Sequence, residues 1–268
     1  MKDKVVIITG ASSGIGRALA YEYASRKAKV VIAARRIDIL EEIVADLKKN
    51  GSDVIAVETD VSKEEDCKKL IDKTVEEFDR IDILINNAGI SMRALFVDLS
   101  IDVLKKLMDV NFWGTVYCTK YAISHLLKSK GSLVGVSSIS GFTPLPARTG
   151  YCASKYAVNG FLNTLRIENS RKGLHVLIVA PWFTTSNIRK TALLADGSQQ
   201  GETPRKEKKM MKAETVAKYI AKAVVKRKRT LILTLSGKIS IFLIKVYPQI
   251  IERIMYNQMR KEHDSPLK

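Results

Sequence analysis

The sequence predicts an α/β domain built on a doubly wound parallel sheet of about seven strands, extended at its C-terminus by an amphipathic helical segment. Short β-branched runs alternate with longer segments of helical periodicity along most of the chain. The short runs are apolar throughout rather than at every second position, as strands covered on both faces must be. The 268 residues, 46% hydrophobic and 27% charged, are ample for a single large core.

The elements follow in order. The predicted strands are Val5–Thr9, Val30–Ala34, Val54–Val57, Ile81–Ile85, Leu133–Val136 and Val176–Val179. Between them, residues 14–27, 36–49, 63–79, 100–128 and 151–171 carry apolar groups at helical spacing. Residues 186–212 break the rhythm with Asp196-Gly197-Ser198-Gln199-Gln200-Gly201 and a basic cluster from Arg205 to Lys212. So long a connection reads as a substrate-side lid or as partly disordered chain. A helix over 213–227 and a seventh strand near Leu231–Thr234 complete a domain of residues 1–235. In the extension, 236–268, a helical wheel puts Lys238, Lys245, Gln249, Glu252 and Arg253 on one arc. Ile239, Leu243, Val246, Tyr247, Ile250, Ile251 and Ile254 fill the rest, Ile241 and Phe242 interrupt the polar side, and Pro248 is expected to kink or divide the helix.

Composition narrows the function classes. Cys67, Cys118 and Cys152 are far apart and only three histidines are present, so free buried thiols are expected rather than disulfides or a zinc site. Met1-Lys2-Asp3-Lys4 leads directly into an apolar strand and nothing reads as a secretion signal or a spanning helix, so a cytoplasmic location is expected. Residues 205–268 hold 17 Lys/Arg against 5 Asp/Glu, so 12 of the net +17 charges lie there. That excess suits an anionic partner or a solvated basic face. The tail lacks interleaved aromatics and any base-reading motif, so no nucleic-acid partner is expected.

The first strand feeds Thr9-Gly10-Ala11-Ser12-Ser13-Gly14-Ile15-Gly16 and then a helix. Glycines at such a turn let the backbone reverse tightly and let a pyrophosphate approach the amides, at the positive end of the helix. The residues assigned to the cofactor here are Gly10, Ser12, Ser13, Gly14, Ile15 and Gly16. An NAD site needs a carboxylate after the second strand for the ribose hydroxyl, but the chain reads Ala33-Ala34-Arg35-Arg36, with no acid before Asp38. A guanidinium pairs with a 2′-phosphate, so NADP(H) is preferred over NAD(H). The competing reading pairs one arginine with a surface acid such as Glu41.

Tyr151 and Lys155 are four apart on a predicted helix and share a face. A tyrosine titrates near ~10, and an adjacent ammonium favours the phenolate, so the pair is expected to lower the phenol into the range of general acid–base work.

With Thr9-Gly10-x-x-x-Gly14-x-Gly16, Asp60-Val61, Asn86-Asn87-Ala88-Gly89, Asn111, Ser138 and Tyr151-x-x-x-Lys155 in order, the chain resembles the short-chain dehydrogenase/reductase family from Lys4 to about Trp182. The resemblance implies a Rossmann-like fold and an oxidoreductase in which Tyr151 exchanges a proton with the substrate oxygen. It implies that Lys155 binds the nicotinamide ribose, that Ser138 hydrogen-bonds the substrate oxygen (Ser137 being its rival), and that Asn111 holds a relay water. Asn111 could instead be a buried polar residue mending a helix irregularity. It further assigns Asp60 and Val61 to the adenine, Asn87, Ala88 and Gly89 to the adenosine ribose and phosphate side, and Arg35 and Arg36 to the 2′-phosphate.

One departure stands out. Where the family has Pro-Gly after the sixth strand, this chain has Ala180-Pro181-Trp182-Phe183-Thr184. Tryptophan lacks glycine's freedom at positive φ, so the indole walls the pocket or the turn runs differently. Cofactor contacts are carried to Pro181 and Thr184, with Thr185 or Ser186 as substitutes for the latter.

No arginine pair is placed by the sequence to clamp a carboxylate, so a mainly apolar ketone or secondary alcohol is expected, such as a steroid or a 3-keto sphingoid base. Residues 238–260 suit peripheral contact with a membrane, or packing on the domain or a second subunit. A homo-oligomer is expected by analogy with the family. The competing function is a non-catalytic NADP-binding regulator or scaffold.

Overall fold

A computed structural model describes residues 1–203, 210–262 and 264–268. Seven parallel strands form one sheet in the order β3-β2-β1-β4-β5-β6-β7. They are β1 (Val5–Thr9), β2 (Lys29–Ala34), β3 (Val54–Glu58), β4 (Ile83–Asn86), β5 (Ser132–Val136), β6 (His175–Ala180) and β7 (Thr230–Ile232). The doubly wound reading is thus borne out, with strand boundaries shifted by one or two residues. Alternation on β1 explains the two layers: Val6 and Ile8 face one core, and Ile7 faces the other.

Three helices cover the first face: α1 (Gly14–Ser25), α2 (Ile37–Lys49) and, near the end of the sheet, α7 (Ala213–Val225). Leu19, Tyr23, Leu40, Val216 and Ile220 close that core. On the other face lie α3 (Glu64–Phe78), α4 (Ile101–Met108), α5 (Gly114–Lys128) and α6 (Thr149–Glu168). Leu70, Cys118, Leu126 and Leu162 pack there against Ile7, Val31 and Leu84. Cys67, Cys118 and Cys152 are buried and free.

The single helix expected over 100–128 is not continuous. A π-helical turn, Asp109–Trp113, separates α4 from α5, and Asn111 sits inside it fully buried. Apolar spacing alone cannot register one extra residue in a turn, and such π-turns recur at functional sites.

The C-terminal extension is two helices, α8 (Leu235–Val246) and α9 (Pro248–Arg260), divided at Pro248. The proline sits at the first position of α9, where its missing N–H costs nothing. The apolar arc is divided between the domain and solvent. The face of α9 turned to the domain is Ile251, Met255 and Met259, whereas Ile239, Phe242, Val246, Ile250 and Ile254 are exposed. No helix among the described residues is long and apolar enough to cross a membrane.

The described part of the 186–212 segment is bonded to the body. Leu193 exchanges backbone hydrogen bonds with the Ser91–Arg93 strip, and Thr184 bridges to Met211. Of the basic cluster, Arg205, Lys206, Lys208 and Lys209 lie outside the described residues.

Candidate active site

The strand order departs in both directions from β1 and β4, which is where an open α/β sheet forms its crevice. One residue straps the two strand ends together. Buried Thr9 accepts hydrogen bonds at its hydroxyl from the backbone N–H groups of Asn87 and Ala88, both at 3.0 Å. In return, Asn87 Nδ2 donates to the carbonyls of Thr9 (2.9 Å) and Gly10 (3.3 Å). Gly10 has φ +65°, and a Cβ there would stand 2.8 Å from Ala88 Cα. At Gly16 a Cβ would run into the Gly10 carbonyl and lie 2.6 Å from Asn87 Nδ2. Neither position has room for a side chain.

α1 begins at Gly14 with no acidic residue in its first turn and no side-chain cap. Its leading N–H groups therefore face the crevice without an internal acceptor, as a helix terminus that takes a phosphate requires. A cavity of about 620 Å³ opens from this turn. Gly10, Ser12, Ser13, Gly14 and Ile15 line one end of it; Gly16 packs behind them and does not. Arg35 and Arg36 stand exposed at the rim after β2, and Arg36 donates to Ser12 Oγ at 3.0 Å, directly over the turn. After β3, Asp60 accepts from Ser62 N and Oγ, and Val61 packs against Gly114 of α5. Asp60, Val61, Asn87, Ala88 and Gly89 all face the cavity. The residues present therefore fit a dinucleotide.

The same cavity continues to Ser138, Tyr151 and Lys155, with Pro181 and Thr184 on its wall. Ser138 caps a short 3-10 turn, accepting from Ser140 N. Its side chain interacts with the Tyr151 phenol, whereas Ser137 is buried behind it. Of the two serines, Ser138 is the one at the phenol. Asn111 does not line the cavity. Its amide is spent on Ile90, Nδ2 to the carbonyl (3.0 Å) and Oδ1 from the N–H (2.8 Å), and on Ser154 Oγ. The π-turn thereby fixes the strip after β4 beside Lys155. Gly89 leaves the space there, since a Cβ on it would be 3.1 Å from Asn111 Oδ1 and 3.3 Å from Lys155 Nζ.

The expected electrostatics of the tyrosine–lysine pair are reversed. Burial pushes the Tyr151 phenol above its ordinary value, with Ser138 acting against the rise. Burial also pushes the Lys155 ammonium down to about 8. The reason is positional. Lys155 Nζ donates to the Val136 carbonyl at the end of β5 (3.0 Å) and stands 5.9 Å from the centre of the Tyr151 ring. Four-residue spacing puts both side chains on one face, but it does not direct their heads at each other.

At the Pro181-Trp182 departure, Trp182 takes no positive φ, so the turn does run differently from one that needs glycine. Its indole also lines the cavity, packed edge-on to Phe183 at 5.3 Å. Pro181 accepts at its carbonyl from Ile139 N, and Thr184 Oγ1 turns back to the Trp182 carbonyl.

Sequence reasoning missed one feature entirely. Arg148, Arg189, Met255, Met259 and Glu262 also line the cavity, and Arg93, paired with Glu262 at 3.5 Å, is buried behind it. The sequence placed no arginine pair to clamp a carboxylate; the structure sets Arg148 and Arg189 on the cavity wall. Arg93, Arg148 and Glu262 are far apart in sequence, and no local motif joins them.

A family model described as short chain dehydrogenase matches residues 4–196. Among curated proteins, the 11-beta-hydroxysteroid dehydrogenase A of Arachis hypogaea is 47% identical over 201 residues, covering 74% of this chain and 56% of that protein. The dehydrogenase/reductase SDR family protein 7-like of Dictyostelium discoideum is 36% identical over 258 residues, covering 94% and 80%. The match thus spans less than two thirds of the length of relatives such as the Arachis protein. An alcohol dehydrogenase from the archaeon Thermococcus sibiricus, complexed with 5-hydroxy-NADP, superposes with a TM-score of 0.77 at 26% identity, covering 87% of this chain and 96% of that one. A short chain dehydrogenase/reductase from Burkholderia phymatum in complex with NAD shares the fold, with a TM-score of 0.82 at 24% identity, covering 93% and 95%.

Proposed function

The chain belongs to the short-chain dehydrogenase family, and from that premise we propose that it is an NADP(H)-dependent oxidoreductase interconverting a ketone and a secondary alcohol. One observation carries the reading: a single cavity joins the glycine turn to Ser138, Tyr151 and Lys155. A bound nicotinamide supplies or accepts the hydride. Tyr151 gives its proton to the carbonyl oxygen in reduction or takes the hydroxyl proton in oxidation. The burial that raises its pKa keeps it protonated at neutral pH, the state a carbonyl acceptor needs. Ser138 holds the substrate oxygen beside the phenol. Lys155 binds the ribose, and Asn111 acts through Ile90 and Ser154 as a positioning residue. The apolar walls contributed by Trp182, Phe183, Leu193 and Met255 support a mainly apolar substrate body.

The preference for NADP(H) rests on Arg35 and Arg36. The double change Arg35→Ser, Arg36→Ser is expected to raise KM for NADPH by about 10- to 100-fold and KM for NADH by less than about threefold, because charge-assisted bonds to a phosphate are lost. Steady-state kinetics with both cofactors measures this; equal effects on the two would remove the arginines from the 2′-phosphate.

The extension carries a further part of the proposal. With Ile251 and Met255 turned inward, α8 and α9 leave Leu235, Phe242, Tyr247 and Ile250 exposed beside Lys238, Lys245 and Arg253. A basic, apolar outer face of this kind suits the surface of an anionic bilayer. Flotation with phosphatidylserine liposomes at low salt is expected to carry the protein to the lipid fraction, and Phe242→Glu to leave it behind. Recovery of the wild-type protein wholly in the dense fraction would reject membrane contact.

A further inference from the structure

The substrate end of the cavity contains an arginine whose charge the protein does not use up. Arg148 is 7% exposed and lines the cavity, yet among the described residues its one hydrogen bond goes to the Met92 carbonyl. A guanidinium carries five donors, and buried donors are ordinarily satisfied. Its surroundings make this more unusual. Arg148 is the N-cap of the 20-residue helix α6, which has no side-chain cap and no acidic residue in its first turn. A cation at the positive end of a helix is disfavoured. A second buried arginine, Arg93, adds a like charge, and Glu262 brings a carboxylate against both. Burial and Arg93 lower Arg148 to about 10, so it remains a cation at neutral pH. Arg148 thus stands at a helix N-terminus beside the Arg93–Glu262 pair, with no ion pair of its own among the described residues.

We propose that Arg148 is the subsite for a carboxylate on the substrate, so that the ligand is an amphipathic keto or hydroxy acid. Its apolar body lies against Trp182, Phe183, Leu193, Met255 and Met259. Its anionic end meets the fork of Arg148 while its carbonyl reaches Tyr151, one turn further along α6. A planar guanidinium takes a carboxylate through two parallel hydrogen bonds, which fixes orientation as well as affinity. Glu262, at the end of the segment that includes α9, competes for the same positive charge. This inference rests on the oxidoreductase reading for the position of the reacting carbon, but the absence of an ion pair on Arg148 among the described residues does not depend on it.

Isothermal titration of the full chain with decanoate and with 1-decanol separates the two. Decanoate is expected to bind at least about tenfold more tightly than 1-decanol, and Arg148→Met to abolish that difference. Glu262→Gln, which removes the competing carboxylate and spares Arg148, is expected to tighten decanoate severalfold. Should Arg148→Met fail to fold, the Glu262→Gln result decides. Equal binding of acid and alcohol by the wild-type chain, a preference that survives Arg148→Met, or unchanged or weaker decanoate binding in Glu262→Gln would overturn the proposal. The titration reads binding without turnover. A chain that bound decanoate as expected but reduced no ketone would therefore count against the oxidoreductase reading and leave the subsite standing.

Discussion

Replacement of Tyr151 by phenylalanine is expected to lower kcat/KM by about 10²- to 10⁴-fold while changing the dissociation constant for NADPH by less than about threefold. The substitution removes one oxygen and leaves the ring's packing intact, so the loss reports proton transfer rather than a collapsed pocket. No neighbour can take over the role. Ser138 is a poor acid, and the Lys155 ammonium is anchored on the Val136 carbonyl, 5.9 Å from the ring centre. Steady-state kinetics paired with fluorescence titration of NADPH checks both halves. Activity within tenfold of wild type would exclude the phenol as the proton donor.

Lys155→Met is expected to act in opposite directions on activity and stability. Loss of the ribose contact should cost about 10²-fold in kcat/KM. Stability at pH 7 should nevertheless rise. The native ammonium has its pKa pushed from the ordinary 10.5 to about 8 by burial, so the folded chain holds the proton less firmly than the unfolded chain. That difference of about 2.5 pKa units corresponds to about 3 kcal/mol opposing folding below pH 8. The unfolded state binds more protons between about pH 8 and 10.5, so the wild-type protein recovers this stability as pH rises through that window. A methionine has no such burden, although the Val136 carbonyl loses a donor at a cost of about 1 kcal/mol. The variant should therefore be about 2 kcal/mol more stable at pH 7, with the advantage gone near pH 10.5. Urea unfolding at both pH values measures the difference. A variant less stable at pH 7 would mean that the buried ammonium holds the fold together.

The strands were legible because parallel strands buried on both faces leave short apolar runs rich in β-branched residues between longer helical segments, as in VVIIT at β1 and HVLIVA at β6. The glycine turn was legible for a related reason: Gly10 and Gly16 occupy positions where a Cβ meets backbone or a fixed side chain. Three features were hidden, each because it depends on distant chain segments or on side-chain direction. The π-turn around Asn111 adds a residue without disturbing the apolar pattern over 100–128. The head of Lys155 is aimed by the Val136 carbonyl, on a different element from its own helix. Arg148 is three residues before Tyr151, but its environment comes from Met92, Arg93 and Glu262. Which apolar residues α9 turns inward was not legible, because the packing uses Met255 and Met259 beside Ile251 and leaves the more hydropathic isoleucines at 250 and 254 exposed.

The central claim is that the cavity joining the glycine turn to Tyr151 supports hydride exchange with a carbonyl carbon. The direct measurement is incubation of the full chain with C4-deuterated NADPH, of each face in turn, and a panel of ketones, keto-lipids and keto acids, with mass spectrometry of the products. An alcohol bearing one deuterium on the carbinol carbon, from one labelled face and not the other, is the expected result. NADPH that binds tightly but yields no labelled alcohol from any member of the panel would contradict it and favour a nucleotide-binding protein without catalysis.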